Sequence, residues 1–172
     1  MDGPRFLPPH VDALDEARAE VCAATIFSDE RPFRGIAGLL DWRLAGRLSA
    51  LAKNGFLTGR AGEVVMVPGR PRASFDKILI FGLGAKASFD ADAFRAWTVA
   101  VRRALSGLAA KRAVVEIAGR GVLAPEERAE LLAEESRGAP EALERNVYID
   151  DDVGQRAIVQ AIKRSELRTR SA

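Results

Sequence analysis

The chain has 172 residues, of which 48% are hydrophobic and 29% are charged. This length and composition are typical of one soluble globular domain, and the balance of 26 basic against 24 acidic residues gives no specific sign of a nucleic-acid partner. No apolar run reaches the roughly 20 residues of a membrane span, and no signal-peptide pattern opens the chain, so we expect a cytoplasmic protein without a membrane partner.

The first predicted elements are an arm, a strand and a helix. Residues 1–14 contain three prolines and no hydrophobic periodicity, which predicts an extended N-terminal arm. Residues 19–27 form an apolar, partly β-branched run that is typical of a strand buried on both faces. Across residues 36–53, leucine and isoleucine recur at spacings of three and four and predict one helix, which Asn54 and Gly55 end.

Two short apolar strands follow, Val64–Val67 and Ile78–Phe81. The nine residues 68–76, rich in proline and glycine, separate the first strand from Lys77. A parallel crossover needs about a dozen residues or more, so this pair is predicted to be antiparallel.

The second half of the chain alternates between helices and strands. Residues 90–109 carry an apolar stripe with Trp97 at its middle, and Asp90 is suited to cap the first turn of this helix. The remaining predicted elements are a strand over 113–118, a helix from Pro125 to about 135, a strand over 146–149 and a helix over 152–164. Residues 167–172 complete the chain as a basic, solvated tail.

This order of elements predicts an α/β fold with a mixed, mostly parallel sheet and helices on both faces. We find no internal repeat, heptad pattern or low-complexity segment. A single domain is therefore expected over residues 15–166.

The run from Gly82 to Ala87 follows a predicted strand and matches the G-x-G-x-x-G/A pattern of dinucleotide-binding turns. In such turns the glycines let a pyrophosphate approach the N–H groups of the next helix. Here that helix begins late, and Asp90 and Asp92 in its first turn would repel phosphate. A tight turn that needs glycine for its backbone geometry is the favoured interpretation.

The other side chains with metal or nucleophile chemistry favour structural roles. Asp150, Asp151 and Asp152 are suited to a hard cation, but consecutive side chains diverge, so we interpret them as caps of the last helix. Cys22 is the only cysteine and lies in an apolar strand, and His10 is the only histidine and lies in the arm. We therefore predict no catalytic residue, no metal site and no cofactor.

The two tryptophans differ in their expected surroundings. Trp97 occupies the middle of a helical apolar stripe and is expected in the core. Trp42 stands between Asp41 and Arg43, just off the leucine stripe, which indicates a surface that a partner can cover.

Four segments, in order, resemble the N-terminal domain of the cytosolic leucyl aminopeptidases, the M17 peptidases: Asp29-Glu30-Arg31-Pro32-Phe33-Arg34-Gly35, Leu39-Leu40-Asp41, Gly62-Glu63-Val64 and Ile80-Phe81-Gly82-Leu83-Gly84. In that family an acidic, proline-containing loop precedes the first helix, a Gly-Glu pair leads into a strand, and a Val-Gly-Leu-Gly run ends the next strand. The resemblance covers about residues 19–135 and implies a macro-domain-like fold.

The resemblance does not carry the peptidase activity. The family's two metal ions, its catalytic lysine and arginine and its Asn-Thr-Asp-Ala-Glu-Gly-Arg-Leu signature belong to a C-terminal domain, and no such motif occurs before the chain ends at Ala172. We therefore expect a chain that is not an enzyme. Residual aminopeptidase activity is the least favoured of the functions considered.

Our first hypothesis is a non-catalytic binding or assembly module that contacts a protein partner or a second copy of itself. In the family this domain lies beside the catalytic domain in a hexamer, so protein contact is the role that the resemblance implies. The candidate surface consists of Arg31, Phe33, Arg34, Gly35 and Trp42.

The alternative hypothesis is a binder of a nucleotide or ADP-ribose, with Gly82, Leu83 and Gly84 as the ligand-binding residues. The macro-domain likeness implies ADP-ribose, and α/β sheets bind ligands at the carboxyl ends of their strands. Macro domains use an asparagine-rich loop, whereas the only asparagines here are Asn54 and Asn146.

Overall fold

The computed structural model describes residues 4–137 and 145–170, which contain one β-sheet. Its strands are β1 (Arg5–Leu7), β2 (Val21–Ile26), β3 (Val64–Pro68), β4 (Lys77–Gly82), β5 (Ala113–Glu116) and β6 (Val147–Ile149). They lie in the order β1-β6-β5-β2-β4-β3. Neighbouring strands are parallel except for β3, which runs antiparallel to β4. The predicted antiparallel pair is therefore confirmed.

Helices cover both faces of the sheet. On one face lie α1 (Val11–Glu16), α2 (Gly35–Arg43) and α3 (Arg47–Lys53), and on the other lie α4 (Ala91–Gly107), α5 (Pro125–Ser136) and α6 (Asp152–Arg170). This architecture confirms the predicted α/β class with a mixed, mostly parallel sheet. Among the described residues, no helix is both long enough and apolar enough to cross a membrane.

The central strand β2 is buried on both faces, as its composition predicts. Val21 and Ala23 contribute to the core under α4, whereas Cys22 and Ala24 contribute to the core under α2. Trp97 is 6% exposed and packs in the first of these cores, so its predicted core position is confirmed.

The N-terminal segment differs from the extended arm that we expected. Residues 5–7 form an edge strand parallel to β6, with Phe6 opposite Tyr148, and residues 11–16 form a short helix. The two aromatic rings lie 6.5 Å apart. A three-residue strand is too short to show hydrophobic periodicity, which is why the sequence pattern did not reveal it.

The helix expected over residues 36–53 is broken into α2 and α3. Ala45 and Gly46 have φ angles of 55° and 78°, in the left-handed region. The Asp41 carboxylate accepts hydrogen bonds from the backbone N–H and the hydroxyl of Ser49, at 3.0 and 2.5 Å, and so caps the start of α3. The apolar stripe continues across the break, so the spacing of leucines predicted a single helix.

The capped start of α4 is confirmed, because the Asp90 side chain accepts a hydrogen bond from the N–H of Ala93 at 2.9 Å. The last helix is longer than predicted. It continues to Arg170, so residues 167–170 are helical rather than a solvated tail, while residues 171–172 of the predicted tail lie outside the described residues.

Candidate functional site

The candidate site is the crevice at the carboxyl ends of the parallel strands. β2 continues into α2 on one face of the sheet, whereas its neighbours β4 and β5 continue into α4 and α5 on the other face. Ligands of α/β proteins bind where adjacent strands lead to opposite faces in this way. The segments 27–34, 83–90 and 117–124 follow these strands, and residues 56–63 lie against the second segment.

The turn Gly82-Leu83-Gly84 is closed by the chain itself. Its amide nitrogens donate to backbone carbonyls at 2.8, 2.9 and 2.8 Å, in chain order those of Glu63, Ile26 and Gly59. A Cβ on Gly82 would lie 2.2 Å from the carbonyl oxygen of Arg60, so glycine is needed there for close packing of two backbones. The amides of the three residues proposed to bind a ligand are thus already bonded to the chain itself, which favours the tight-turn interpretation.

Glu116, at the end of β5, caps the beginning of α2. Its Oε2 accepts hydrogen bonds from the N–H and hydroxyl of Thr25, at 2.8 and 3.0 Å, and its Oε1 accepts one from the N–H of Ile36 at 3.2 Å. The first N–H groups of a helix lack intrahelical acceptors and normally suit an anion. The domain therefore places its own carboxylate where an anionic ligand would bind.

Burial raises the pKa of Glu116, while the hydrogen bonds from Thr25 and Ile36 and the charge of Arg120 oppose that rise. Gly35 is packed against the same carboxylate, since a Cβ on it would lie 2.7 Å from the Glu116 Oε1. Glu116, which lies in the strand predicted over residues 113–118, was not identified from the sequence. A single carboxylate in an apolar strand was the signal available, because buried acids are rare unless they are paired or hydrogen-bonded.

Two further carboxylates bind backbone donors around the crevice. The Glu63 side chain accepts hydrogen bonds from the N–H groups of Thr58 and Gly59, at 2.9 and 2.6 Å, and from the Thr58 hydroxyl at 2.8 Å. The Asp29 carboxylate accepts one from the N–H of Lys86 at 3.1 Å. Acidic side chains thus accept hydrogen bonds from backbone donors on two of the surrounding segments, 56–63 and 83–90.

The loop after β2 is held by basic side chains. Lys86 Nζ lies 2.5 Å from Glu30 Oε1. The Arg31 guanidinium donates to the carbonyl oxygens of Phe27 and Thr58, at 3.0 and 3.2 Å, and lies over the ring of Phe33. These contacts link the loop to the segments 56–63 and 83–90.

The structure distributes the predicted interaction surface along α2. Arg31 and Arg34 are exposed in the loop before the helix, and Trp42, which is 69% exposed, lies near its end. Phe33 is buried, and Gly35 is half-buried and has no side chain. Neither of these two predicted residues therefore offers side-chain area to a partner. The exposed part of the surface consists of the two arginines and the tryptophan.

The acidic triplet separates into different roles. Asp150 is buried and forms a two-pronged ion pair with Arg128, at 2.6 and 3.3 Å. Burial raises the pKa of Asp150, and the charge of Arg128 opposes the rise. Asp151 accepts a hydrogen bond from the N–H of Gly154 at 2.9 Å, as a cap of α6. The cap interpretation therefore holds for Asp151, whereas Asp150 belongs to a buried pair that the sequence pattern did not reveal.

Among the described residues, no group of three or more His, Cys, Asp or Glu side chains is placed to hold a metal ion. Cys22 is fully buried in β2, and burial raises the pKa of its thiol far above the usual range, with the charge of Glu116 acting in the same direction. His10 is exposed before α1.

A sequence model of the cytosol aminopeptidase family, N-terminal domain, matches residues 25–143. A curated relative, described as a probable cytosol aminopeptidase from Thioalkalivibrio sulfidiphilus, is 26% identical over 99 residues. That match covers 58% of this chain and 20% of the relative, so the chain spans about one fifth of the curated relative's length.

Solved structures with the same fold include macrodomains and a leucine aminopeptidase. The macrodomain of Mycobacterium tuberculosis DarG has a TM-score of 0.62 at 18% identity, covering 81% of this chain and 93% of its own. A macrodomain from Oceanobacillus iheyensis has a TM-score of 0.68 at 9% identity, covering 90% and 89%. A mutant of tomato leucine aminopeptidase has a TM-score of 0.61 at 16% identity, covering 96% of this chain and 37% of its own. The fold is thus macro-domain-like, as the sequence resemblance implied.

Proposed function

Because the chain belongs to the cytosol aminopeptidase family through that family's N-terminal domain, we propose that it is a non-catalytic module that binds another protein chain. The observation that carries the proposal is the closed crevice. The amides of Gly82, Leu83 and Gly84 and the beginning of α2 are bonded to the domain itself. A function that depends on exposed side chains fits this arrangement better than one that depends on the crevice.

The exposed part of the predicted surface supports the proposal. Trp42 is 69% exposed on α2, and its ring lies 5.7 Å from the guanidinium of Arg43, which pairs with Asp15. Tryptophan and arginine are the residues most enriched among the side chains that dominate binding energy at protein interfaces. We propose Arg31, Arg34 and Trp42 as the contact residues.

The partner proposed is the catalytic part of a cytosol aminopeptidase, since the match covers only one fifth of that relative's length. The family name also supports a cytoplasmic location. We expect no metal-dependent hydrolysis of a leucyl arylamide by this chain alone.

The test measures complex formation by sedimentation velocity, with the full chain alone and mixed with the cytosol aminopeptidase of the same organism. We expect a complex that Trp42→Ser weakens and that Val153→Ser leaves unchanged. Val153 is a matched control, because it is 51% exposed and lies on α6, on the opposite face of the sheet. If the chain stays monomeric at high concentration and forms no complex with the aminopeptidase, the proposal is contradicted.

Calorimetry with ADP-ribose distinguishes the protein-binding proposal from the alternative, which is binding of a nucleotide or ADP-ribose. We expect no heat at millimolar ligand, because the crevice amides already have acceptors. Saturable binding of ADP-ribose that Trp42→Ser does not affect would replace the protein-binding proposal with the nucleotide hypothesis at the strand ends.

A further inference from the structure

A second concave site lies at the opposite edge of the sheet, where the parallel strands begin. It is a cavity of about 710 Å³ between α4 and α5, above the starts of β5 and β6. Cavities of about 300–1,000 Å³ are the usual size for small-molecule sites. The crevice described above lies at the other ends of these strands, so the two sites share no opening.

The inner wall of the cavity is apolar. Val101 and Leu105 of α4, Leu132 of α5 and Val115 of β5 line it, and each is less than a tenth exposed. Trp97 adds an aromatic surface to the same wall. Such a wall favours a ligand with a hydrophobic body, since burial of apolar area contributes about 25 cal/mol per Å².

The outer rim of the cavity is basic. Arg102 and Glu135, which join α4 and α5 across the rim, pair at 3.3 Å and so offset each other. Lys111 and Arg145 also line the cavity and are exposed, and neither side chain has a carboxylate partner in the part of the chain that the structure describes. These four side chains leave two unmatched positive charges at the opening.

The buried phenol of Tyr148, which lines the cavity, carries no charge. Tyr148 is 7% exposed, and burial raises its pKa to about 12 while a hydrogen bond with Asn146 and the charge of Arg102 oppose the rise. The phenol is therefore neutral at physiological pH and adds no negative charge to the cavity. Among the described lining residues, the positive charges therefore exceed the negative charges.

We propose that this cavity binds a small organic anion with an aromatic or branched aliphatic body. The body lies against Val101, Leu105 and Leu132, and the anionic group lies at the rim beside Lys111 and Arg145. This site goes beyond the proposed protein-binding function and does not depend on it, because it uses none of the residues of α2.

Calorimetry with naphthylacetate, naphthylacetamide and inorganic phosphate tests both halves of the proposal on the full chain. The acid and the amide have nearly the same shape and differ in charge. We expect saturable binding of the acid, binding of the amide that is weaker by about tenfold or more, and no competition by phosphate. Equal affinities for acid and amide, absence of binding by the acid at millimolar concentration, or competition by phosphate would each overturn it.

Two pairs of variants locate the site. Ser106→Trp adds a large side chain at the exposed rim and should abolish binding, whereas Arg103→Trp, on the outward side of the same helix, should not. Lys111→Gln should lower the affinity for the acid about tenfold and leave the affinity for the amide unchanged. Arg103→Gln, with the same loss of charge, should change neither affinity. Thermal unfolding of each variant confirms that it is folded. A folded Ser106→Trp protein that binds the acid normally overturns the proposed location.

Discussion

Replacement of Glu116 by alanine tests whether closure of the crevice stabilises the fold. The substitution removes the acceptor of three donors, the N–H and O–H of Thr25 and the N–H of Ile36. A buried donor left without a partner costs about 1–3 kcal/mol. Ile36 is fully buried, whereas Thr25 is half-buried and can recover hydrogen bonds to water. We expect the free energy of unfolding to fall by about 3 kcal/mol, a large share of the roughly 5–15 kcal/mol of a typical domain.

Urea unfolding followed by circular dichroism and tryptophan fluorescence measures this loss at neutral pH. Glu126→Ala is the control, because Glu126 is an exposed acid on α5 and its replacement should change stability by less than about 0.5 kcal/mol. If the two variants unfold at the same urea concentration, the hydrogen bonds of Glu116 do not stabilise the domain. Closure of the crevice by this carboxylate would then not contribute to stability.

A second variant at this position, Glu116→Gln, tests the pH dependence of the same interaction, which has a definite sign. Burial raises the pKa of Glu116 in the folded protein above its value of about 4.3 in an unfolded chain. The folded state then binds more protons than the unfolded state just above that value, so the contribution of Glu116 to stability falls as the pH rises through the raised pKa. The unfolding free energy of wild type minus that of Glu116→Gln should therefore fall as the pH rises from about 4. A value that rises with pH would contradict the raised pKa.

Four other substitutions test the remaining structural assignments by urea unfolding. Asp150→Asn leaves Arg128 buried without its ionised partner and should cost about 3–5 kcal/mol, whereas Asp151→Ala removes only a helix cap and should cost about 1 kcal/mol, with no effect of added Mg²⁺ on either wild type or variant. Gly82→Ala should unfold the turn region or strongly lower the midpoint, because the new methyl group meets a backbone carbonyl at 2.2 Å. Trp97→Ala should cost about 3–5 kcal/mol, since Trp97 is 6% exposed in the core under α4. Equal midpoints for Asp150→Asn and Asp151→Ala, or wild-type midpoints for the other two, would contradict these assignments.

The sequence predicted the elements that are long, periodic or strongly apolar. α4 shows its apolar stripe over 17 residues, and β2 is buried on both faces at every position except Thr25. β1 and the break between α2 and α3 were not predicted, because each depends on tertiary contacts. β1 is stabilised by pairing with β6, and the break is stabilised by the Asp41 side chain, which reaches eight residues along the chain.

The candidate site was harder to predict than the fold, because its important contacts join residues far apart in sequence. Glu116 bonds to Thr25 and Ile36, which lie 91 and 80 residues away. Asp150 and Arg128 are 22 residues apart and on different elements. Single-sequence patterns report on neighbours within a turn or two, so they placed the glycine turn correctly but could not show that the chain itself fills the space around it.

The carboxylates at the helix beginnings explain why a macro-domain-like fold need not bind an anion in the crevice at the carboxyl ends of its parallel strands. Parallel strands followed by helices direct several helix beginnings, with their positive dipole ends, toward one edge of the sheet. In this chain three of those beginnings already carry a carboxylate from the domain, namely Glu116 at α2, Asp90 at α4 and Asp151 at α6. A phosphate that entered the crevice would compete with these carboxylates for the same N–H donors. It would also be repelled by their negative charge. The proposed anion site lies instead at the opposite edge of the sheet, beside Lys111 and Arg145, whose side chains have no carboxylate partner among the described residues.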